Sequence, residues 1–248
     1  MTIAPTAILS ALAQEQDGLI ELLESPLKYV HAGRDFWRGG LHGRPVVLAL
    51  SRIGKVAAAT TATALIEKFG VAGIVFTGVA GGLGDGVQTG DVVVAMEFMQ
   101  HDLDVSPLFA RYQVPLYGQA RFAGDARLTE LLFSAAGSAL AALQPGNAFS
   151  GAKVHRGLLA SGDRFVSGAV EAAALRATLL SAGHEVLAIE MECAAVAQVC
   201  HDYGVPFAAV RTISDRADDS AHVDFEAFVE QVASRYAQAI IADFLKML

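Results

Sequence analysis

The stretch that decides how this chain folds is Val186-Leu187-Ala188-Ile189-Glu190-Met191-Glu192, then the Ala-rich segment Cys193 to Tyr203, then Pro206-Phe207-Ala208-Ala209-Val210-Arg211-Thr212-Ile213-Ser214-Asp215. The outer runs are apolar and short, as buried strands are. The middle segment places its apolar residues at helical spacing and is closed by Gly204. A strand–helix–strand unit follows, with its two strands expected to lie parallel through a right-handed crossover. In open α/β sheets ligands sit outside the carboxyl ends of the strands, and Glu192 and Asp215 fall at those ends. Two acids facing one crevice suit acid/base chemistry or the recognition of a polyhydroxylated ligand. Read by position alone, Glu190 and Glu192 could equally serve the first turn of the helix, where acids complement its dipole.

Working outward, the rest of the chain alternates in the same way. Thr6 to Leu12 reads as a strand and Gln14 to Glu24 as a helix; Tyr29 to Ala32, Phe36 to Leu41 and Pro45 to Leu50 read as strands. Gly54 to Phe69 is a helix, Gly73 to Thr77 and Asp91 to Met96 are strands with a glycine loop between them, and Ala126 to Leu143 is a helix. Lys153 to Ala160 is a strand, Ala169 to Leu180 a helix, and Phe225 to Leu245 a closing helix. No repeat or linker interrupts the pattern. The expectation is a single α/β domain over residues 1–248, a three-layer α/β/α sandwich around a mainly parallel mixed sheet.

Composition narrows the function. Hydrophobic residues make up 53% of the 248 and charged residues 18%, which suits a sheet covered on both faces. A net charge of -8 argues against nucleic acid or an anionic membrane as partner. No stretch approaches the roughly 20 uninterrupted apolar residues of a membrane span. The start, Met1-Thr2-Ile3-Ala4-Pro5, lacks the basic residues of a signal peptide, so a cytoplasmic protein is expected. Cys193 and Cys200 lie two turns apart on one helix, too far to bridge, and are read as buried free thiols.

The segment Thr77-Gly78-Val79-Ala80-Gly81-Gly82-Leu83-Gly84-Asp85-Gly86 is not a dinucleotide loop, because a strand and not a helix follows it, and no Gly-Lys-Ser/Thr makes it a P-loop. It is either a close backbone approach to a ligand or a tight turn. Ser161-Gly162-Asp163-Arg164-Phe165 reads as a turn. His101-Asp102-Leu103-Asp104 has metal-like residue types without a second cluster, and is read as loop-positioning.

Together these segments resemble the 5'-methylthioadenosine/S-adenosylhomocysteine nucleosidase family of the nucleoside phosphorylase-like superfamily. The motifs that carry the resemblance are Ser51 to Ala59, Thr77 to Leu83, Val87 to Val94, Ser161 to Val166, Ile189-Glu190-Met191-Glu192 and Val210 to Asp215, spanning nearly the whole chain. The resemblance implies hydrolysis of the N-glycosidic bond of adenine nucleosides without metal or organic cofactor. It makes Asp215 the general acid at adenine N7, Glu15 the base for water, and Glu192 the acceptor of ribose hydroxyls, with Met191 against the sugar. Phe165 would stack on adenine, the Val166 backbone would read the base edge, Gly81 would let the chain approach closely, and Ser214 would line the same site. The N-terminus departs from the family pattern: in Ser10-Ala11-Leu12-Ala13-Gln14-Glu15 the acidic neighbours of the last glutamate are missing, and Asp17 is the other acid within reach. The alternatives are a nucleosidase for another adenosine derivative, such as 6-amino-6-deoxyfutalosine, or a non-catalytic nucleoside-binding protein.

Two further expectations follow. The apolar loop with Pro107, Leu108, Phe109, Tyr112, Val114, Pro115, Leu116 and Tyr117 points to a homodimer, since such a loop is costly to leave in water. The acceptor is expected to be water and not phosphate. Phosphorylases of the superfamily hold the dianion with arginines, one of them before the aspartate that opens the strand, where this chain has Gly90 before Asp91. No Lys or Arg occurs between Lys68 and Arg111, which leaves Arg34, Arg38 and Arg52 as the cations that could still meet a phosphate.

Overall fold

The computed structural model describes residues 3–16, 18–143, 151–216 and 228–248. Strands β1 (Thr6–Ser10), β5 (Gly73–Gly82) and β10 (Phe207–Asp215) form its spine, β1 and β10 each pairing parallel with β5. β1 continues outward to β4 (Arg44–Leu50), which carries the antiparallel strands β3 (Arg34–Leu41) and β2 (Glu24–His31). On the other side β10 meets β6 (Val92–Gln100) antiparallel, and β6 leads through β8 (Val154–Ser161) to β9 (Val186–Glu190) in parallel steps. β7 (Arg121–Ala123) adds to β6. Because β9 also pairs antiparallel with β5, the strands β5, β10, β6, β8 and β9 close on themselves.

The strands read as continuous apolar runs because both faces are covered. Ala7 and Leu9 of β1, Ile74 and Phe76 of β5, and Phe207 and Ala209 of β10 pack with α1 (Lys55–Phe69) and α4 (Cys193–Tyr203). Their neighbours Ile8, Val75, Ala208 and Val210 point the other way, toward α2 (Ala126–Leu143) and α5 (Ser234–Met247). That alternation is the two-residue period of a strand, and it gives the expected helix–sheet–helix layers. α3 (Ala169–Ser181) covers a smaller cluster around Met99, Leu158 and Ile189. α2 is long and apolar enough to cross a membrane, but its buried stripe, Leu128, Leu132, Ala135 and Ala139, is part of the core.

Three local expectations are corrected. Gln14 to Glu24 is not a helix: a single 3-10 turn, Gln14–Gln16, is followed by turns and by β2 from Glu24, while Asp17 lies outside the described residues. The turn forms because the Glu15 and Gln16 side chains point inward to backbone groups, and Gly18 at φ +80° then diverts the chain. The glycine segment is loop only from Leu83 onward, since β5 runs through Gly82 with Gly78 and Gly82 admitting neighbours at close range. Finally, β9 and β10 are not parallel neighbours. β10 runs with β5, whereas β9 runs against it. The helix between them is as expected, Cys193–Tyr203 with Gly204 in the left-handed cap position. The closing helix is as expected over the described residues, running from Phe228 through a wider π-helical turn, Val229–Ala233, into α5, and the Phe225 start expected for it lies outside the described residues.

Candidate active site

Gly81 is the junction on which the site is built. It pairs with Asp215 of β10 on one side and with Ile189 of β9 on the other, so the carboxyl ends of β5, β9 and β10 converge there. This is how two antiparallel strands still deliver their terminal acids to one place. A cavity of about 380 Å³ opens at the junction. Glu15, Glu192 and Asp215 all line it, as do Gly81, Phe165, Val166, Met191 and Ser214. All eight residues to which the resemblance gave a place in the site, Asp17 aside, therefore line one space, to which His101 and Ile53 add.

Each acid is held differently. Glu15, 2% exposed, accepts from the backbone N–H groups of Ala11 (2.8 Å) and Leu12 (2.9 Å) through Oε2 and from Val79 (3.0 Å) through Oε1. Glu192 accepts from the Gly54 N–H at 3.0 Å, at the N-terminus of α1, where Asp163 likewise accepts from the Lys55 N–H at 2.8 Å. Asp215 Oδ2 accepts from the Ser214 hydroxyl at 2.6 Å. Lys55 bridges to Gln100 (3.0 Å) and Asp102 (2.5 Å), and Asp102 accepts from the Asp163 N–H. The His101–Asp104 stretch thus positions the Ser161–Val166 loop, as its loop-positioning reading requires. Among the described residues no group of acids, histidines and cysteines could hold a metal ion.

Sequence reasoning missed the group that organises these acids. Arg211 is 1% exposed and lies behind the cavity wall. Its Nη2 donates to Glu190 (2.6 Å) and to the Cys193 thiol sulfur (3.1 Å) and stands 3.6 Å from Glu192, while Nη1 and Nε have no hydrogen-bond partner. The signal was available: a lone charge inside Ala208-Ala209-Val210-Arg211-Thr212-Ile213 must be buried and therefore paired. Glu190 settles the question left open between two roles. It accepts from the N–H groups of Glu192 and Cys193 and from the Ser161 hydroxyl, so it caps α4 and anchors Arg211, while Glu192 faces the cavity.

One buried guanidinium thus serves three buried carboxyls, and it does not ionise all of them. Burial works against the charge on Glu190, but Arg211, Ser161 and the Cys193 N–H outweigh it and hold its carboxyl below the ordinary range. Burial, with the Glu190 charge adding to it, pushes Glu192 up to about 8 against the opposing pull of Arg211. Burial also raises Glu15, although Arg211 and its three N–H donors oppose the shift. A carboxyl raised in this way is a better proton acceptor near neutral pH than an ordinary glutamate.

The three arginines left open as phosphate ligands do not line this cavity. Arg34 and Arg52 line a different one, and Arg38 is exposed on β3. Both cysteines are buried free thiols.

The sequence matches the model of the phosphorylase superfamily over residues 5–246. It is 37% identical over 243 residues to the 5'-methylthioadenosine/S-adenosylhomocysteine nucleosidase of Shewanella halifaxensis, covering 97% of this chain and 98% of that one. The chain belongs to the 5'-methylthioadenosine/S-adenosylhomocysteine nucleosidase family. The Neisseria meningitidis nucleosidase of the same name, solved in complex with methylthio-immucillin-A, superposes with a TM-score of 0.87 at 38% identity, covering 99% of this chain and all of the other. The futalosine hydrolase of Helicobacter pylori superposes with a TM-score of 0.85 at 30% identity over 99% of both chains.

Proposed function

We propose that this protein hydrolyses the N-glycosidic bond of 5'-methylthioadenosine and S-adenosylhomocysteine, releasing adenine and the 5-thio-substituted ribose. The observation that carries the reading is the convergence of Glu15, Glu192 and Asp215 on one cavity beside Phe165 and Met191. As the bond between N9 and the sugar breaks, its electron pair leaves with adenine, and the sugar becomes cationic. Asp215, steadied by Ser214, donates a proton at N7 and neutralises the departing base. Glu15 takes a proton from the water that attacks the anomeric carbon, and its raised affinity for protons suits it to the task. Glu192 accepts the ribose hydroxyls, Met191 packs against the sugar, Phe165 stacks on the base, and the Val166 backbone reads its edge. The carboxylates near the ribose favour its transition-state charge.

Incubation with 5'-methylthioadenosine, S-adenosylhomocysteine and 6-amino-6-deoxyfutalosine, with free adenine as readout, tests this reading. Adenine from the first two at rates indifferent to millimolar phosphate is expected. Adenine from the third alone would transfer the reading to futalosine chemistry, which the likeness to futalosine hydrolase supports. No adenine from any would leave a nucleoside-binding protein.

The working form is a cytoplasmic homodimer in this proposal. Leu108 and Leu116 in the Pro107–Tyr117 loop are 80% and 92% exposed, and Val56 at the start of α1 is 78% exposed. A two-fold contact that covers such side chains removes their cost in water and borders the 5' end of the cavity.

A further inference from the structure

A second cavity, of about 390 Å³, lies behind the turn that carries Glu15. Ala11 belongs to both cavities; on the far side of the turn the walls are Gln16, Ile20, Trp37, Arg34 and Arg52. Two guanidiniums meet here without a carboxylate between them. Arg52 donates to the Gly33 carbonyl, Arg34 donates to those of Ala32 (3.1 Å) and Ala57 (3.3 Å), and the buried Arg34 Nε has no partner. Among the described residues neither arginine forms an ion pair. Of the two acids that line the cavity, Asp35 is paired with Lys28 at 2.8 Å, and Glu21 is exposed. Burial and the neighbouring Arg52 charge both press Arg34 toward losing its proton. Arg52 also sits at φ +65°, a backbone conformation costly for a side-chain-bearing residue.

We propose that this rear cavity binds a small organic phosphate monoester, its dianion between Arg34 and Arg52 and its organic part against Trp37, Ile20 and Leu50. A doubly charged oxyanion relieves the repulsion of two adjacent guanidiniums and supplies the acceptor that Arg34 Nε lacks. The apolar walls select an organic body over a bare anion. The site is separate from the catalytic cavity but shares its wall. The turn whose N–H groups hold Glu15 is tied on this side by the Gln16 amide, which donates to the carbonyls of Ala49 (3.0 Å) and Ile8 (3.4 Å).

Trp37 is the single tryptophan of the chain and lines this cavity, so its fluorescence is a local probe of it. The experiment is a titration of the intact protein with phenyl phosphate and with inorganic phosphate, read by that emission. A saturable change is expected, tighter for phenyl phosphate than for inorganic phosphate. Arg52→Gly is the informative variant, because glycine adopts φ +65° freely and the fold is kept. It should weaken phenyl phosphate binding about tenfold or more, the effect of losing one charge-assisted contact. Arg34→Met should weaken it similarly. No saturable change, or a change equal in wild type and Arg52→Gly, would overturn the site. Equal affinity for the two phosphates would overturn the organic-body assignment. None of these outcomes depends on whether adenine is released from nucleosides, which the earlier assay reads separately.

Discussion

Gly78 is the position where one added methyl group should disable the site without touching the substrate. A Cβ there would fall 2.7 Å from Glu15 Oε1, 3.0 Å from its Cδ, and closer still to Arg211 Nη1. Neither neighbour can yield cheaply. Glu15 is fixed by three backbone donors, and Arg211 is fully buried and bound to Glu190. Ordinary contact begins near 3.4 Å, so in Gly78→Ala the carboxylate must retreat by several tenths of an ångström and the guanidinium by about 1 Å. Displacements of that size at a catalytic group cost about 10²-fold in rate, and overpacking of a core typically costs about 1–3 kcal/mol. The expected result is a kcat for adenine release lowered about 10²-fold, with KM for 5'-methylthioadenosine changed little, since Phe165, Val166 and Asp215 are undisturbed. Calorimetry in parallel should show a destabilised but cooperatively folding protein. Gly137→Ala is the control: it lies on the exposed side of α2 with nothing within 4 Å of its Cβ, and should stabilise by about 0.5–1 kcal/mol with full activity. A near-normal kcat in Gly78→Ala would refute the assignment of Glu15 as the base, because that carboxylate could not then have been in place for its task.

Three more outcomes are expected. Asp215→Asn should still bind nucleoside, measurable by calorimetry, but release adenine about 10²–10⁴-fold more slowly, since the amide keeps a hydrogen bond and supplies no proton; undiminished turnover would remove it as the acid. For Glu192 the folded protein keeps a proton that the unfolded chain releases above about 4.5, so the stability of the ligand-free protein should fall as pH rises from there toward about 8. The slope is at most about 1.4 kcal/mol per pH unit for one group, and Glu192→Gln should remove it from a series of urea melts. Glu190 has the opposite sign: its contribution is present above the ordinary carboxyl range and is lost only as pH falls below it. Leu108→Ser combined with Leu116→Ser should shift the mass seen by light scattering from dimer to monomer, and an unchanged mass would put the interface elsewhere.

Much of this architecture was legible in the sequence because it rests on local signals. Ala126–Leu143 and Cys193–Tyr203 announce themselves by helical spacing and, for the latter, by Gly204, and the structure keeps those bounds. The eight candidate site residues were singled out through their motifs, and all eight line one cavity. What failed depended on contacts distant in sequence. The helix expected over Gln14 to Glu24 lost to hydrogen bonds with Val79 and Ala49, partners no local pattern reveals. β9 and β10 looked like parallel neighbours because a helix joins them, yet the closure of the sheet through β5 sets their directions instead. Arg211 was in view as part of a motif, but its role appears only when Glu15, Glu190 and Glu192, drawn from two ends of the chain, are seen to surround it.

The same arrangement explains why water fits this site better than phosphate. A phosphate dianion needs free cations that face the cavity, whereas here the lining arginine, Arg164, is paired with Glu171, the buried Arg211 is committed to Glu190, and Arg34 and Arg52 lie beyond the Glu15 turn. The acids that do face the cavity outnumber the charge that Arg211 can balance, so a dianion would meet repulsion from Glu15 in a closed, weakly screened space. The developing cation on the sugar meets the reverse. Its charge makes up the deficit that raises Glu192 to about 8 and lifts Glu15 above the ordinary carboxyl range, so the ionised form of both is favoured most when the glycosidic bond is breaking. An attraction that strengthens from substrate to transition state is the kind that accelerates a reaction, and the shortage of buried positive charge is what creates it here.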